Sequence, residues 1–129
     1  MARKRILVVD DEAEFLLLLK STLELRDFEV IATSNAVEAG IKLASRLPSL
    51  ILMDIKMPGI NGLDACEVIK KNPATKDVPI IVTSGLSDDA TIKKARRLGV
   101  ADYFVKPIDI EKLIKKIKEI LNTEGDNNA

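Results

Sequence analysis

Residues 50–63 read LILMDIKMPGINGL, and the order of side-chain types along them sets the architecture. Four apolar side chains, Leu50 to Met53, run without alternation and stop at a carboxylate, Asp54. A run this short suits a strand, and one that is apolar at every position suits a strand covered on both faces, as in a parallel sheet. Met57, Pro58 and Gly59 then signal a turn, and Gly62 opens a segment with apolar residues at helical spacing: Leu63, Cys66, Val68 and Ile69. The unit is therefore strand, polar loop, helix, with the loop at the carboxyl end of the strand.

The same unit recurs on either side. Short apolar runs at residues 6–9, 29–33, 78–83 and 102–105 read as four more strands, and helical spacing follows each, as in Phe15, Leu18, Leu19, Leu23 and in Ile110, Leu113, Ile114, Ile117. Pro48, the Asn72–Pro73 pair and Gly99 punctuate the helices. Strands alternating with helices imply crossover connections and a five-stranded parallel sheet with helices on both faces, an α/β fold. At 129 residues the chain has the size of one domain, assigned to residues 1–122. The polar stretch 123–129 reads as a disordered tail.

Composition excludes several functions. Lysine plus arginine equals aspartate plus glutamate at 20 each, so overall charge gives no reason to expect direct binding of nucleic acid or of an anionic membrane. The absence of histidine removes the usual zinc sites and every triad that needs an imidazole, and Cys66, the single cysteine, cannot form an internal disulfide. The basic start Arg3, Lys4, Arg5 precedes too few apolar residues for a signal peptide or membrane span. The expected compartment is a reducing cytoplasm.

In an open α/β sheet, ligands bind where the strands' carboxyl ends meet the following loops. There stand Asp10, Asp11 and Glu12 after the first run, Asp54 after the third, Thr83 and Ser84 after the fourth, and Lys106 before Pro107 after the fifth. Taken singly, such residues are ordinary caps and turn formers. Gathered together, carboxylates repel one another by up to about 4 kcal/mol per pair at ~4 Å and an effective dielectric of ~20. A hard divalent cation, Mg²⁺ or Mn²⁺, suits such an oxygen site, with Lys106 as a further positive charge. A carboxylate beside a metal is a nucleophile toward phosphorus, which assigns attack to Asp54, charge pairing to Lys106 and a hydrogen bond to Thr83.

These ordered motifs, Asp10–Asp11, Asp54 with Met57–Pro58–Gly59 and Gly62, Thr83, and Lys106–Pro107, resemble the receiver domain of two-component response regulators over residues 5–121. The resemblance implies a flavodoxin-like (βα)5 fold with strand order 2-1-3-4-5. It implies a metal held by Asp11, Asp54 and the Lys56 backbone carbonyl, with Asp10 acting through water, and a cis peptide before Pro107. A histidine kinase or histidine phosphotransfer protein would be the donor. Thr83 and Tyr103 would form a coupled switch in which Tyr103 turns inward and alters the surface of the fourth helix, fifth strand and fifth helix, where a downstream protein or a second copy would bind. Lys56, Ser84 and Gly85 would tune the lifetime of the phosphoryl group. The chain would then be a signalling switch that catalyses only its own phosphorylation and slow autodephosphorylation, acting alone or as a module of a longer protein.

Two surface features complete the reading. Residues 15–19 are apolar at five consecutive positions, more than one helix face buries, so Leu16 and Leu17 are expected to reach solvent and form a docking patch for the donor. Lys93, Lys94, Arg96 and Arg97, and later Lys112, Lys115, Lys116 and Lys118, make two basic helix faces, either simply solvated or suited to an acidic partner. Competing functions fit less well. An aspartate-nucleophile phosphatase of the haloacid dehalogenase type usually carries a second aspartate where Lys56 stands, and a flavin-binding flavodoxin would not place Asp10, Asp11 and Glu12 against a phosphate. The alternative that survives is a receiver-like interaction module that never takes phosphate.

Overall fold

The computed structural model describes residues 3–121, so the tail at 123–129 lies outside the described residues. In chain order the elements are β1 (Arg5–Val9), α1 (Ala13–Leu25), β2 (Glu29–Thr33), α2 (Ala36–Ser45), β3 (Leu50–Met53), β4 (Lys56–Met57), β5 (Ile60–Asn61), α3 (Gly62–Lys71), β6 (Ile80–Ser84), α4 (Asp89–Arg97), β7 (Asp102–Val105) and α5 (Ile110–Leu121). Five parallel strands form one sheet in the order β2-β1-β3-β6-β7, which is 2-1-3-4-5 when only its own strands are counted. This is the expected flavodoxin-like fold.

Strand alternation divides the apolar side chains into two cores. Leu7, Val9, Ile51, Met53, Ile80 and Val82 face one way and pack with α2, α3 and α4, while Ile6, Val8, Leu50, Leu52 and Ile81 face the other and pack with α1 and α5. Unbroken apolar runs in β1, β3 and β6 follow from this two-sided burial.

Local chemistry explains most element ends. Asn35, Asn61 and Asp88 cap α2, α3 and α4 by accepting from the backbone N–H of Glu38, Leu63 and Thr91. The fourth sheet strand begins at Ile80 rather than Val78, because Pro79 has no N–H to give a ladder, and it continues through Ser84. Within 56–61 the chain forms a small antiparallel hairpin, β4 with β5, that sequence periodicity did not predict. Pro58 and Gly59 make its turn, Gly59 at φ +77°, a conformation that suits glycine at the second central position. Gly62 has a different reason: a Cβ there would lie 2.2 Å from the Cα of Ile55.

One expectation about α1 needs correcting. The helix turns Leu19 and Leu23 into the core, and Leu16, one turn before Leu19, lies half-buried against the same core. The exposed pair is Leu17, 66% accessible, and Leu18, 50% accessible, so the patch is shifted by one residue from Leu16 and Leu17. Val68 likewise faces outward on α3, leaving Leu63, Cys66 and Ile69 as the buried stripe.

Candidate functional site

Register builds the site. Val9 pairs with Thr33 on one side and Met53 on the other, Met53 pairs with Val82, and Ser84 pairs with Val105. The residues that follow these positions therefore leave the sheet side by side. Asp10 N–H donates to the Thr33 carbonyl at 3.1 Å, Asp54 N–H to the Val9 carbonyl at 2.9 Å and Lys106 N–H to the Ser84 carbonyl at 2.8 Å, so each main chain stays in the ladder for one step beyond its strand. The Lys106–Pro107 peptide is cis.

Lys106 is the hub. Its Nζ donates to Asp10 Oδ2 at 2.9 Å and to Asp54 Oδ2 at 3.3 Å, it also contacts the Glu12 carboxylate, and it sits 4.6 Å from the centroid of the Phe15 ring. Asp10 is wholly buried and Asp54 is 3% accessible, while Glu12 lies at the surface. The second oxygen of each buried carboxylate is also satisfied: Glu12 N–H donates to Asp10 Oδ1 at 2.8 Å and Lys56 N–H to Asp54 Oδ1 at 2.9 Å. Glu12 occupies the N-cap of α1 without capping it, its carboxylate being engaged by Lys106 instead.

Burial raises the pKa of Asp10 and of Asp54 above the usual carboxylate range, an effect that hydrogen bonds from Lys106 and the loop backbone only partly oppose. Burial acts in the opposite sense on Lys106, but hydrogen bonds to Asp10 and Glu12 and the charges of Asp10 and Asp54 outweigh it and hold the ammonium charged. With every group ionised, one cation faces the carboxylates of Asp10, Glu12 and Asp54, which approach within 4.8 Å of one another. The donor set is all oxygen, hard and negative, which fits Mg²⁺ or Mn²⁺.

The predicted residues are not all in this cluster. Asp11 is exposed and outside it, although its charge is felt at Asp54; Glu12, given no role from sequence, takes that place around Lys106. Thr83 is buried at the end of β6. Ser84 is buried as well, and its Oγ accepts from Leu86 N–H at 3.1 Å, whereas Gly85 and the Lys56 side chain are exposed. Tyr103 already lies inward, its hydroxyl donating to the Leu86 carbonyl at 2.7 Å, so the inward turn expected of it is the position it holds here. Three contacts escaped the sequence reading: Phe15 under Lys106, Glu12 beside it, and the Leu86 backbone joining Ser84 to Tyr103. The adjacency of Glu12 to the acidic pair was the available signal for the second.

Compared with known protein families, residues 6–118 match the response regulator receiver domain. The chain belongs to this family. Among its relatives, receiver proteins differ in length: it is 35% identical over 118 residues to protein PilH of Pseudomonas aeruginosa, covering 91% of this chain and 97% of that one. It is 33% identical over 117 residues to the phosphate regulon transcriptional regulatory protein PhoB of Rhizobium meliloti, covering 91% of this chain but 52% of that protein. The chain thus spans about half the length of the PhoB relatives it matches. A crystal structure of a CheY-like receiver domain protein from Methanospirillum hungatei superposes with a TM-score of 0.88 at 30% identity, covering 97% of this chain and 98% of that one. Among the described residues no helix of this receiver domain is long and apolar enough to cross a membrane.

Proposed function

We propose that this receiver domain is a phosphoacceptor switch of a two-component or phosphorelay system, with Asp54 as the acceptor. The observation that carries the reading is the single ammonium of Lys106 shared by two buried carboxylates, Asp10 and Asp54, at the carboxyl edge of the sheet. A buried carboxylate that shares its partner cation with a second carboxylate can act as a nucleophile toward phosphorus while that cation turns to the incoming phosphoryl oxygens.

Asp54 attacks the phosphorus of a phosphohistidine on a histidine kinase or a histidine phosphotransfer protein. An O–P bond forms, the N–P bond breaks, and the donor imidazole leaves with its electron pair. Lys106 then pairs with the phosphoryl oxygens, Thr83 donates its hydroxyl to one of them, and the Lys56 N–H, already on Asp54, keeps the carboxylate oriented. Asp10, Asp11, Asp54 and the Lys56 carbonyl would hold Mg²⁺ or Mn²⁺, and Glu12 positions Lys106. When bound, the metal would supply positive charge against the negative charge on the phosphoryl oxygens.

Movement of Thr83 and Lys106 toward the phosphoryl group pulls on the Ser84–Leu86–Tyr103 hydrogen-bond chain, and so biases the surface of α4, β7 and α5. Lys56, Ser84 and Gly85 at the mouth set the phosphoryl lifetime, and the exposed Leu17–Leu18 pair on α1 contributes to docking the donor. The domain acts in the cytoplasm and catalyses only its own phosphorylation and slow autodephosphorylation.

Intact mass after incubation with acetyl phosphate, with and without Mg²⁺, tests the reading against an Asp54→Asn control. One added phosphoryl group that needs both Mg²⁺ and Asp54 is the expected result. No gain in mass under any condition would establish instead a receiver-like module that works without phosphate.

A further inference from the structure

Helix α2 is apolar on more sides than the sheet covers. Ala39 and Leu43 pack inward on the core, and of its ten residues only Glu38 and Lys42 are charged. Outward it presents Val37, 71% accessible, and Ile41, 62% accessible, one turn apart, with Gly40 and Ala44 exposed beside them. A helix that is apolar all round is ordinarily one that is covered all round. Gly40 is a second sign. Its φ is not positive, and a Cβ there would meet nothing within 4 Å, so nothing inside this chain calls for glycine in a helix interior, where it lowers stability. A second helix lying against this face supplies the reason, because Gly40 and Ala44, one turn apart, let two backbones approach closely. At the N-terminal end of α2, Ala36 and Val37 line a recess of about 370 Å³ together with Met57, Pro58 and Asp11. Just past its C-terminal end stands Leu47, 51% accessible.

We infer that two copies of this chain pair their α2 helices antiparallel about a twofold axis near Gly40 and Ile41, each copy seating Leu47 in the recess of the other. The face is complementary to itself, as a twofold contact requires. Antiparallel pairing sets Val37 of one copy beside Ala44 of the other. Leu47 lies about 15 Å of helix rise beyond Val37, and the same pairing carries it to the level of residues 34–37, where the recess opens. Glu38 and Lys42 share one flank of the apolar stripe, and in an antiparallel pair that flank faces itself, so Glu38 meets Lys42 twice. Among the described residues neither forms an ion pair, although their spacing on one helix would allow it. Arg46, the next cation, is engaged by Glu29. With one free charge of each sign, this face offers no attraction to a polyanion, an anionic membrane or a strongly charged partner. Because Asp11 lines the recess, the second copy places an apolar side chain at the mouth of the acidic site.

This contact does not depend on the switch reading, and it lies at the β2 edge of the sheet, opposite the β7 edge where α4, β7 and α5 form their surface. One helix face and one recess from each copy make a small interface, below about 1,200 Å² in total, so the dimer should be weak, with a Kd on the order of tens of micromolar. Sedimentation velocity of the whole chain, unphosphorylated, from about 5 μM to about 1 mM should show a monomer–dimer equilibrium in that range. Ile41→Glu should weaken it at least about tenfold. Gly40→Leu should weaken it as much while raising the melting temperature of the dilute monomer, since leucine is the better helix former and its Cβ meets nothing in the free chain. Glu38→Lys and Lys42→Glu should each weaken association, and the double exchange, Glu38→Lys with Lys42→Glu, should restore it. Leu25→Ser, which removes an exposed leucine from α1, should leave it unchanged. A chain that stays monomeric at every concentration, a dimer indifferent to Ile41→Glu and Gly40→Leu, a double exchange no better than its single changes, or equal loss with Leu25→Ser would each overturn the proposal.

Discussion

Lys106 is held by more negative charge than it neutralises, and this sets how the site responds to change. Replacing it by Met leaves Asp10 and Asp54 buried without their cation, a loss of the kind that costs about 3–5 kcal/mol. Urea unfolding of Lys106→Met should show a destabilisation of that order in EDTA and a clearly smaller one in millimolar Mg²⁺, since a bound cation takes over part of the compensation. An identical loss in both conditions would mean that a divalent ion does not take over the compensation that Lys106 gives these carboxylates. Tyr103 gives a milder case. Tyr103→Phe keeps the buried ring and removes one hydrogen bond to the Leu86 carbonyl, so stability should fall by about 1 kcal/mol. Hydrogen exchange should quicken at residues 85–87 and not in β1 or β3. At this scale the places of Asp10, Asp54 and Lys106 just after strands were legible in the sequence, and the structure brings these three together. The sequence did not identify Glu12 or Phe15, because contact with Lys106 depends on the path of α1 and the loop after β7, which no local pattern encodes.

Elements in this fold are joined through a few close contacts that permit little substitution. Gly62 starts α3 directly against Ile55, and a methyl group there would have to displace backbone rather than a flexible side chain. Gly62→Ala should destabilise the protein by about 2–3 kcal/mol, measured by denaturant titration, and shift the amide resonances of the β4–β5 hairpin. Elsewhere, one carboxylate ties three elements. Glu29 at the start of β2 meets Arg5 of β1 at 3.1 Å and Arg46, just past α2, at 3.0 Å. The hydrogen bond from Arg5 and the nearby guanidinium charges hold the Glu29 pKa below its ordinary value. Such a group adds stability above its unfolded-state pKa and loses that contribution as pH falls through its lower folded-state value. Glu29→Gln should therefore be less stable than the parent near neutral pH, and thermal melts should show the gap closing through the acid range. A gap that widened on acidification would contradict this sign. The helices and sheet strands were legible from periodicity and punctuation. The hairpin was not, since two-residue strands carry no period and the Pro58–Gly59 turn alone does not say that its flanks pair.

For the molecule as a whole, two apolar layers on one sheet make stability a shared property. Leu52 lies at the centre, fully buried on the side packed by α1 and α5. Leu52→Ala should cost about 3 kcal/mol, and the loss should appear in one cooperative transition seen alike by far-ultraviolet circular dichroism and by Tyr103 fluorescence. Two separate transitions would mean that the two layers unfold independently. By itself the sequence determined the alternation of strands and helices, the two-sided burial of β1, β3 and β6, and the polar residues that leave the strands at their carboxyl ends. Side-chain type and spacing along the chain are enough for those. Only the tertiary structure decided which leucines of α1 face solvent, that Glu12 rather than Asp11 joins the cluster around Lys106, and that Tyr103 is tied to the loop after β6. Each of these depends on helix phase or on contact between segments distant in the chain, and both are settled by packing against the sheet.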